Sequence, residues 1–358
     1  MKEIKAIVSA HEQIKESGLS AALATLVRLE GSSYRRMGAR MLVKEDGHYV
    51  GGISGGCLEG DALRRAQKAI IQKRAGIITY DTTRTDGHEL GIGLGCNGII
   101  DVLFSPLIPD DIFNPVNVLS GIVTTRTPAV IVTITSNRNR QDLLGKSLLY
   151  QNENQFLEQF FIPGLASSVL KDIHRCLQEK SSINKHYGAD EETRVFIEFI
   201  APQLHLVIYG GHHDVISMVK VADELGWKTT VVMNLLKADK SLFASAGKIL
   251  DRNDPRQPVH DEYCAAILMS HDYKTDQENL ERLIDSQAFY IGVLGPRSRT
   301  EKMYTAFDSA SIHLSKKQRE KIFSPAGLDI GATTPEEIAL SIAAEIKTCA
   351  SGRKGMPL

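Results

Sequence analysis

Cysteine is sparse in this 358-residue chain: five residues, at positions 57, 96, 176, 264 and 349, with no C-x-x-C pair among them. An odd, scattered set argues against a disulfide framework and against a zinc ribbon, and predicts a reducing, cytoplasmic compartment. Net charge is nearly absent: 42 Lys and Arg stand against 43 Asp and Glu, formally −1. No overall basic field therefore advertises a nucleic acid or a membrane surface as partner. The pairs Arg35-Arg36 and Arg64-Arg65 are too short to act as polybasic arms. No apolar run reaches the ~18 residues of a spanning helix, so no membrane insertion is expected. The N-terminus, MKEIKAIVSAHEQIKESG, is amphipathic and carries acids, unlike a signal peptide. Internal repeats and low-complexity tracts are missing too.

What remains is ordinary globular material, 42% hydrophobic and 24% charged, with length for two or three domains. Ile4, Ile7, Val8, His11 and Ile14 form a helical stripe over residues 2–17, and Gly18 is a stop. SAALATLVRL reads as a buried strand and ARMLVKEDGHYVGG as a hairpin turning at Glu45-Asp46-Gly47. Cys57 to Arg74 has helical spacing, and GIITYD and GIIDVLF read as strands. Residues 1–105 are thus expected to form an α+β domain. Residues 106–200 are a less defined α+β extension: PAVIVTITS and RVFIEFI read as strands and SSVLKDIHRCLQEK as a helix, while NRNRQ and SSINKHYGADEE read as polar loops. From residue 201 onward strands alternate with helices, which implies a doubly wound parallel sheet, a Rossmann-like domain over 201–358. The fold class expected is α/β overall. The last helix should begin with Thr334 as N-cap, Pro335 in the first turn and Glu337 closing a capping box.

Two cysteines sit in glycine-rich turns. In GGISGGCLEGDALRRAQKAI, Ser54, Gly55 and Gly56 precede Cys57 at the start of a helix. Glycines let a backbone approach a ligand closely, and a helix N-terminus favours anions and thiolate. Cys57 is a candidate nucleophile or sulfur carrier; the alternative is a small packing residue. In ELGIGLGCNG, Gly95, Asn97 and their neighbours surround Cys96 in the same way. Cys176, Cys264 and Cys349 fall in helix or strand interiors and read as core. GSSYRRMGARM adds the hydroxyls of Ser32 and Ser33 and the forked donors of Arg35, Arg36 and Arg40, suited to phosphate.

The sequence YGGHHD occupies the place of a dinucleotide fingerprint but fits it poorly. Gly210 and Gly211 are followed by His212 where G-x-G-x-x-G has its second glycine, and the acid expected about twenty residues on is Asn234. A strand-turn-helix anion site remains possible there. His271 follows an apolar strand, at the sheet edge where ligands bind in this fold. GVLGPRSR, with Gly295, Arg297 and Arg299, is expected to line the same crevice.

Taken in order, GSSYRRMGARMLV, GGISGGCLE, LGIGLGCNG, LVIYGGHHD, YIGVLGPRSR and GLDIGATTPEEIALSIAAEI resemble the XdhC/CoxI family of xanthine dehydrogenase accessory factors. The likeness runs over nearly the whole chain and is weakest at about 106–195. It implies a chaperone that binds the molybdenum cofactor, a molybdopterin, and supports its sulfuration with a cysteine desulfurase as sulfur source. Such a chaperone delivers the cofactor to a xanthine dehydrogenase-type apoenzyme, often as a homodimer. By position, Cys57 and Cys96 match the family's motif cysteines, which would face the molybdenum through its cofactor, and Arg35, Arg36 and Arg40 match its basic segment. Met37, His212, Asn234 and Pro296 depart from the family pattern. Two other readings stay open: an NAD(P)-dependent oxidoreductase built on the Rossmann-like half, and a dimeric scaffold that binds the client enzyme without holding cofactor.

Overall fold

Spacings of three and four place Ile4, Ile7, Val8, His11 and Ile14 on the buried face of the first helix, α1 (Lys2–Ser17). Gly18 ends it in the left-handed conformation (φ 70°), its amide returning to the Lys15 carbonyl. The computed structural model describes residues 1–81, 98–109, 111–189, 191–236 and 240–357. These divide into two units, Met1–Pro202 and Gln203–Leu358. No helix among the described residues is long and apolar enough to cross a membrane.

The first unit contains two antiparallel sheets. One is built from β1 (Ala21–Gly31), β2 (Arg40–Lys44), β3 (Tyr49–Gly51), β4 (Gly76–Asp81) and β5 (Gly98–Pro106), in the order β3-β2-β1-β5-β4, with α2 (Glu59–Gln72) between β3 and β4 in sequence. Leu58, Ala62, Ala66 and Ala69 pack α2 onto this sheet. After α3 (Pro115–Ser120), the second sheet uses β6 (Ala129–Asn137), β7 (Ser147–Tyr150), β8 (Ile183–Tyr187) and β9 (Thr193–Ile200), ordered β7-β6-β9-β8. The helices α4 (Glu153–Gln159) and α5 (Pro163–Glu179) fall between β7 and β8. Val169, Ile173 and Cys176 of α5 sit in its core. The stretch expected as a polar loop, SSINKHYGADEE, thus contains a strand, β8. Its polar side chains are satisfied sideways: Asn184 donates to the Val27 carbonyl at 2.7 Å, and Lys185 and Tyr187 donate to Asp172 at 2.9 and 2.7 Å.

Besides the Asn184–Val27 bond, core packing and two ion pairs tie the two sheets. Val27, Leu103 and Phe196 pack together. Arg194 on β9 pairs with buried Asp101 on β5 at 3.1 Å. Arg40 on β2 makes a two-pronged pair with Glu198 on β9, both side chains over nine-tenths buried.

His11 gives this unit an acid sensitivity. Burial first, and the Lys15 charge second, depress its pKa from 6.5 to about 4. The unfolded chain takes up the proton first, so stability present above pH 6.5 is lost as pH falls towards 4. The expected result is that wild type loses more thermal stability than His11→Leu between pH 6.5 and 4, with the His11 ring titrating near 4 by NMR. Equal losses in the two proteins would contradict it.

The second unit is doubly wound. Its strands β10 (His205–Tyr209), β11 (Lys228–Met233), β12 (Lys248–Asp251), β13 (Cys264–Leu268), β14 (Tyr290–Val293) and β15 (Ile322–Phe323) run parallel in the order β12-β11-β10-β13-β14-β15. Continuous apolar runs such as Leu206–Ile208 and Ala265–Leu268 are buried, as a sheet covered on both faces requires. The helices α6 (His213–Glu224) and α10 (Pro335–Ala350) pack in one cluster with Leu206 and Ile208. The helices α7 (Tyr273–Leu283) and α8 (Arg297–Ser309) pack in another with Val207 and Leu268, and α9 (Lys316–Glu320) precedes β15. Thr334 caps α10 with the reciprocal Glu337 bond, as the sequence predicts.

Candidate functional site

Three of the motifs meet at one end of the first sheet. The Tyr34 ring, largely exposed, lies over Gly55: a Cβ on that glycine would sit 3.3 Å from the ring. Gly31 pairs with Gly98, the residue that closes GLGCNG. A Cβ on Gly98 would come within 2.5 Å of the Ser32 carbonyl oxygen and 2.7 Å of that of Glu30, so only glycine fits. Ser32 to Tyr34, the Gly55 turn and the end of the second glycine-rich stretch are therefore neighbours. Gly95, Cys96 and Asn97 lie outside the described residues.

The Cys57 loop departs from the expected empty anion seat. The helix begins at Glu59, not at Cys57, and Leu58 is its N-cap. The carboxylate of Glu59 folds back into the turn, where it accepts the Ser54 amide at 2.8 Å, the Gly56 amide at 3.0 Å and the Ser54 hydroxyl. Ser54 Oγ in turn accepts the Leu58 amide at 3.0 Å. Burial alone would raise the Glu59 carboxyl. The Ser54 hydroxyl and the amides of Ser54, Glu59 and Gly56 together outweigh it and hold that group below the usual carboxylate range. Gly56 takes φ 112°, which an L side chain avoids. The result is a loop closed on its own carboxylate, with Cys57 exposed on its outer side.

The basic segment is split by the structure. Arg40 is committed to Glu198 and to the Gly38 carbonyl at 2.7 Å. Arg35 pairs with Glu3. Arg36 is exposed and has no ion-pair partner among the described residues, and Ser32 is exposed and Ser33 half-buried beside it. Of the three arginines, Arg36 is thus the one left to meet an anion. Cys176 and Cys264 are buried and Cys349 partly so, as core residues should be. Burial pushes the Cys176 thiol up to about 12.

In the second unit a cleft of about 440 Å³ opens at the carboxyl edge of the sheet, lined by Gly210, Gly211, His212, Asn234, Arg252 and Ser270 among others. Gly210 is required there: a Cβ would overlap the Met269 carbonyl. His271, at φ 57°, puts Nε2 2.7 Å from Asp214 Oδ2, and its ring meets that of His212 edge-on at 5.2 Å. The cleft floor is braced by buried Asp276, which accepts the Ser270 hydroxyl at 2.5 Å and Arg299 at 2.9 Å. Burial raises the Asp276 carboxyl even against these partners. Gly295 and Arg297 are not in the cleft lining. Arg297 is exposed and pairs with Glu301 at 3.3 Å.

Sequence reasoning missed Glu59, Tyr34, Asp214 and Arg252. An acid at the first turn of a helix, five residues after a serine, is the signal that could have found Glu59. Arg252 follows a four-residue strand, β12, with no periodicity to mark it. Among the described residues no group of three or more His, Cys, Asp and Glu is placed to hold a metal ion.

Residues 14–81 match the family described as XdhC and CoxI family, and residues 206–346 match the XdhC Rossmann domain. The chain is 29% identical over 94% of its length, and 94% of the relative's, to a Bacillus subtilis protein named as a probable subunit of xanthine dehydrogenase. It is 25% identical to the Escherichia coli molybdenum cofactor insertion chaperone PaoD, over 92% of this chain and 83% of that one. A crystal structure from Bacillus halodurans, described as a xanthine dehydrogenase, superposes with a TM-score of 0.73 at 26% identity, covering 97% of this chain and 96% of that chain.

Proposed function

Because the chain belongs to the XdhC/CoxI family, we propose that it is a molybdenum cofactor chaperone serving a xanthine dehydrogenase-type enzyme. The observation that carries this reading is the meeting of Ser32, Tyr34, Gly55 and Gly98 beside exposed Cys57. A pterin cofactor offers a phosphate, a flat ring and a soft metal-sulfur centre. Arg36 and the serine hydroxyls suit the phosphate. The Tyr34 ring offers a face for the pterin, and the Cys57 thiol is the soft donor for the metal-sulfur centre. Support of sulfuration with a cysteine desulfurase, and hand-over to the apoenzyme by a homodimer, are the finer steps of the same proposal.

Purification from a molybdopterin-producing host tests it. After oxidation, the protein should release a fluorescent pterin near one per chain, and it should activate a cofactor-free client dehydrogenase. A pterin-free protein that activates the client fully would instead support a scaffold.

A further inference from the structure

Glu3 lies in the first turn of α1, beside buried Ile4. An acid there suits the helix dipole, and that alone would be an ordinary role. Its carboxylate reaches further. One oxygen accepts the Arg35 guanidinium, and the other accepts the Arg40 amide at 3.2 Å. These partners are 32 and 37 residues away, one in the segment that joins β1 to β2 and one at the first residue of β2. Arg40 in turn takes the Gly52 amide on its carbonyl at 2.7 Å, where the Cys57 loop leaves β3. Ile7, one turn on from Glu3, supports the same corner: a Cβ on Gly51 would sit 3.5 Å from its Cδ1. The first helix therefore braces the base of the arginine segment and the base of the Cys57 loop together.

The arginine segment has little else to hold it. Its far end is fixed to β1, because Gly38 donates to the Leu26 carbonyl at 2.8 Å and Leu26 to that of Ala39 at 2.9 Å. Met37 packs against the neighbouring cores. From Ser32 to Arg36, the Arg35–Glu3 pair is the one side-chain hydrogen bond or ion pair among the described residues. Tyr34 and Arg36 flank Arg35 in sequence, so a hold on Arg35 fixes the backbone that lays the Tyr34 ring over Gly55 and leaves the Arg36 guanidinium free. Both members of the pair are about two-thirds buried, at 32% and 28% side-chain exposure, which limits screening by water and salt.

We infer that Glu3 is a positioning residue of the candidate cofactor site. Through Arg35 and the Arg40 amide it holds the Ser32–Arg36 segment, with Tyr34 over the Cys57 turn, and Arg35 is a strut in that hold and not a ligand of the cofactor's phosphate. The consequence for pterin loading rests on the cofactor-chaperone reading; the hold itself rests on the geometry of the first unit alone.

Hydrogen exchange of the full chain from a host that makes no molybdopterin, with pterin loading measured in a host that does, tests both parts. The proteins are wild type, Glu3→Ala, Glu3→Asp, Arg35→Ala and the double variant Glu3→Ala with Arg35→Ala. Amides of residues 32–37 should exchange about tenfold faster in Glu3→Ala, the effect of losing a charge-assisted hydrogen bond, while those of the second unit keep their rates. Arg35→Ala should do the same, and the double variant should exchange no faster than the faster single. Glu3→Asp keeps the charge at the helix start but is one methylene short, so it should follow Glu3→Ala. Pterin loading should fall about threefold in Glu3→Ala and Arg35→Ala, and no further in the double variant. Unchanged exchange at 32–37 in Glu3→Ala overturns the inference. Wild-type behaviour of Glu3→Asp does so too, since only the dipole role would remain. So do additive losses of loading, which would make Arg35 a direct ligand, and faster exchange with wild-type loading. A pterin-free wild type would defeat the cofactor-chaperone reading alone, and exchange at 32–37 then decides the hold.

Discussion

Glu198→Ala is expected to destabilise the first unit by about 3–5 kcal/mol, the usual cost of leaving one member of a buried ion pair alone. Arg40 and Glu198 are 6% and 7% exposed at the side chain, so the stranded guanidinium would have no water to turn to. Its one other acceptor is the Gly38 carbonyl at 2.7 Å. The pair also carries a geometric load. Gly38 takes φ 87°, and a Cβ there would overlap the Glu198 carboxylate, so the turn before β2 is shaped around the bond. Because the pair joins β2 to β9, its loss should loosen the two sheets from each other. Replacing both partners with apolar residues of similar size, Arg40→Met with Glu198→Leu, should recover most of the loss, since two desolvated charges are then removed together. Urea denaturation of the three proteins measures this. A single-variant loss below about 1 kcal/mol, the value of an exposed pair, would contradict the assignment.

That same arginine shows where sequence reading stops. Arg40 lies five residues from Arg35 in a segment of basic and hydroxyl residues, and by composition it belongs with the phosphate ligands. Its partner is 158 residues away on another sheet, a distance no local pattern carries. The parallel sheet was legible, because buried strands such as Leu206–Ile208 and helix caps such as Thr334 are written in short-range signals. The strand β8 was not, because Asn184, Lys185 and His186 look like loop residues until Val27 and Asp172 are brought beside them. Glu59 was hidden for a different reason. Reading the glycines as a seat for an outside anion was sound physics, but the chain supplies the anion itself.

The self-supplied anion leads to the sharpest expectation for Cys57. Cys57→Ser should fold normally, since the residue is exposed and the change removes no buried contact. Bound pterin should nevertheless fall by about tenfold or more, at 1.4 kcal/mol per decade, because a hydroxyl is a poor substitute for a soft thiolate at a metal-sulfur centre. Glu59 acts differently. Its carboxylate fixes the backbone of Ser54 and Gly56 and so aims the turn that carries the thiol. Glu59→Ala frees those amides and should reduce pterin loading while costing about 1 kcal/mol of helix-start stability. Glu59→Gln keeps one acceptor oxygen but sets an NH2 against the donors of the other, so it should restore only part of the loading. A thiol role thus predicts that Cys57→Ser fails with stability intact, whereas a purely structural loop predicts that loading follows stability across all three variants. Wild-type pterin content in Cys57→Ser would remove the thiol from the binding site and leave Tyr34, Arg36 and the serine hydroxyls to hold the cofactor.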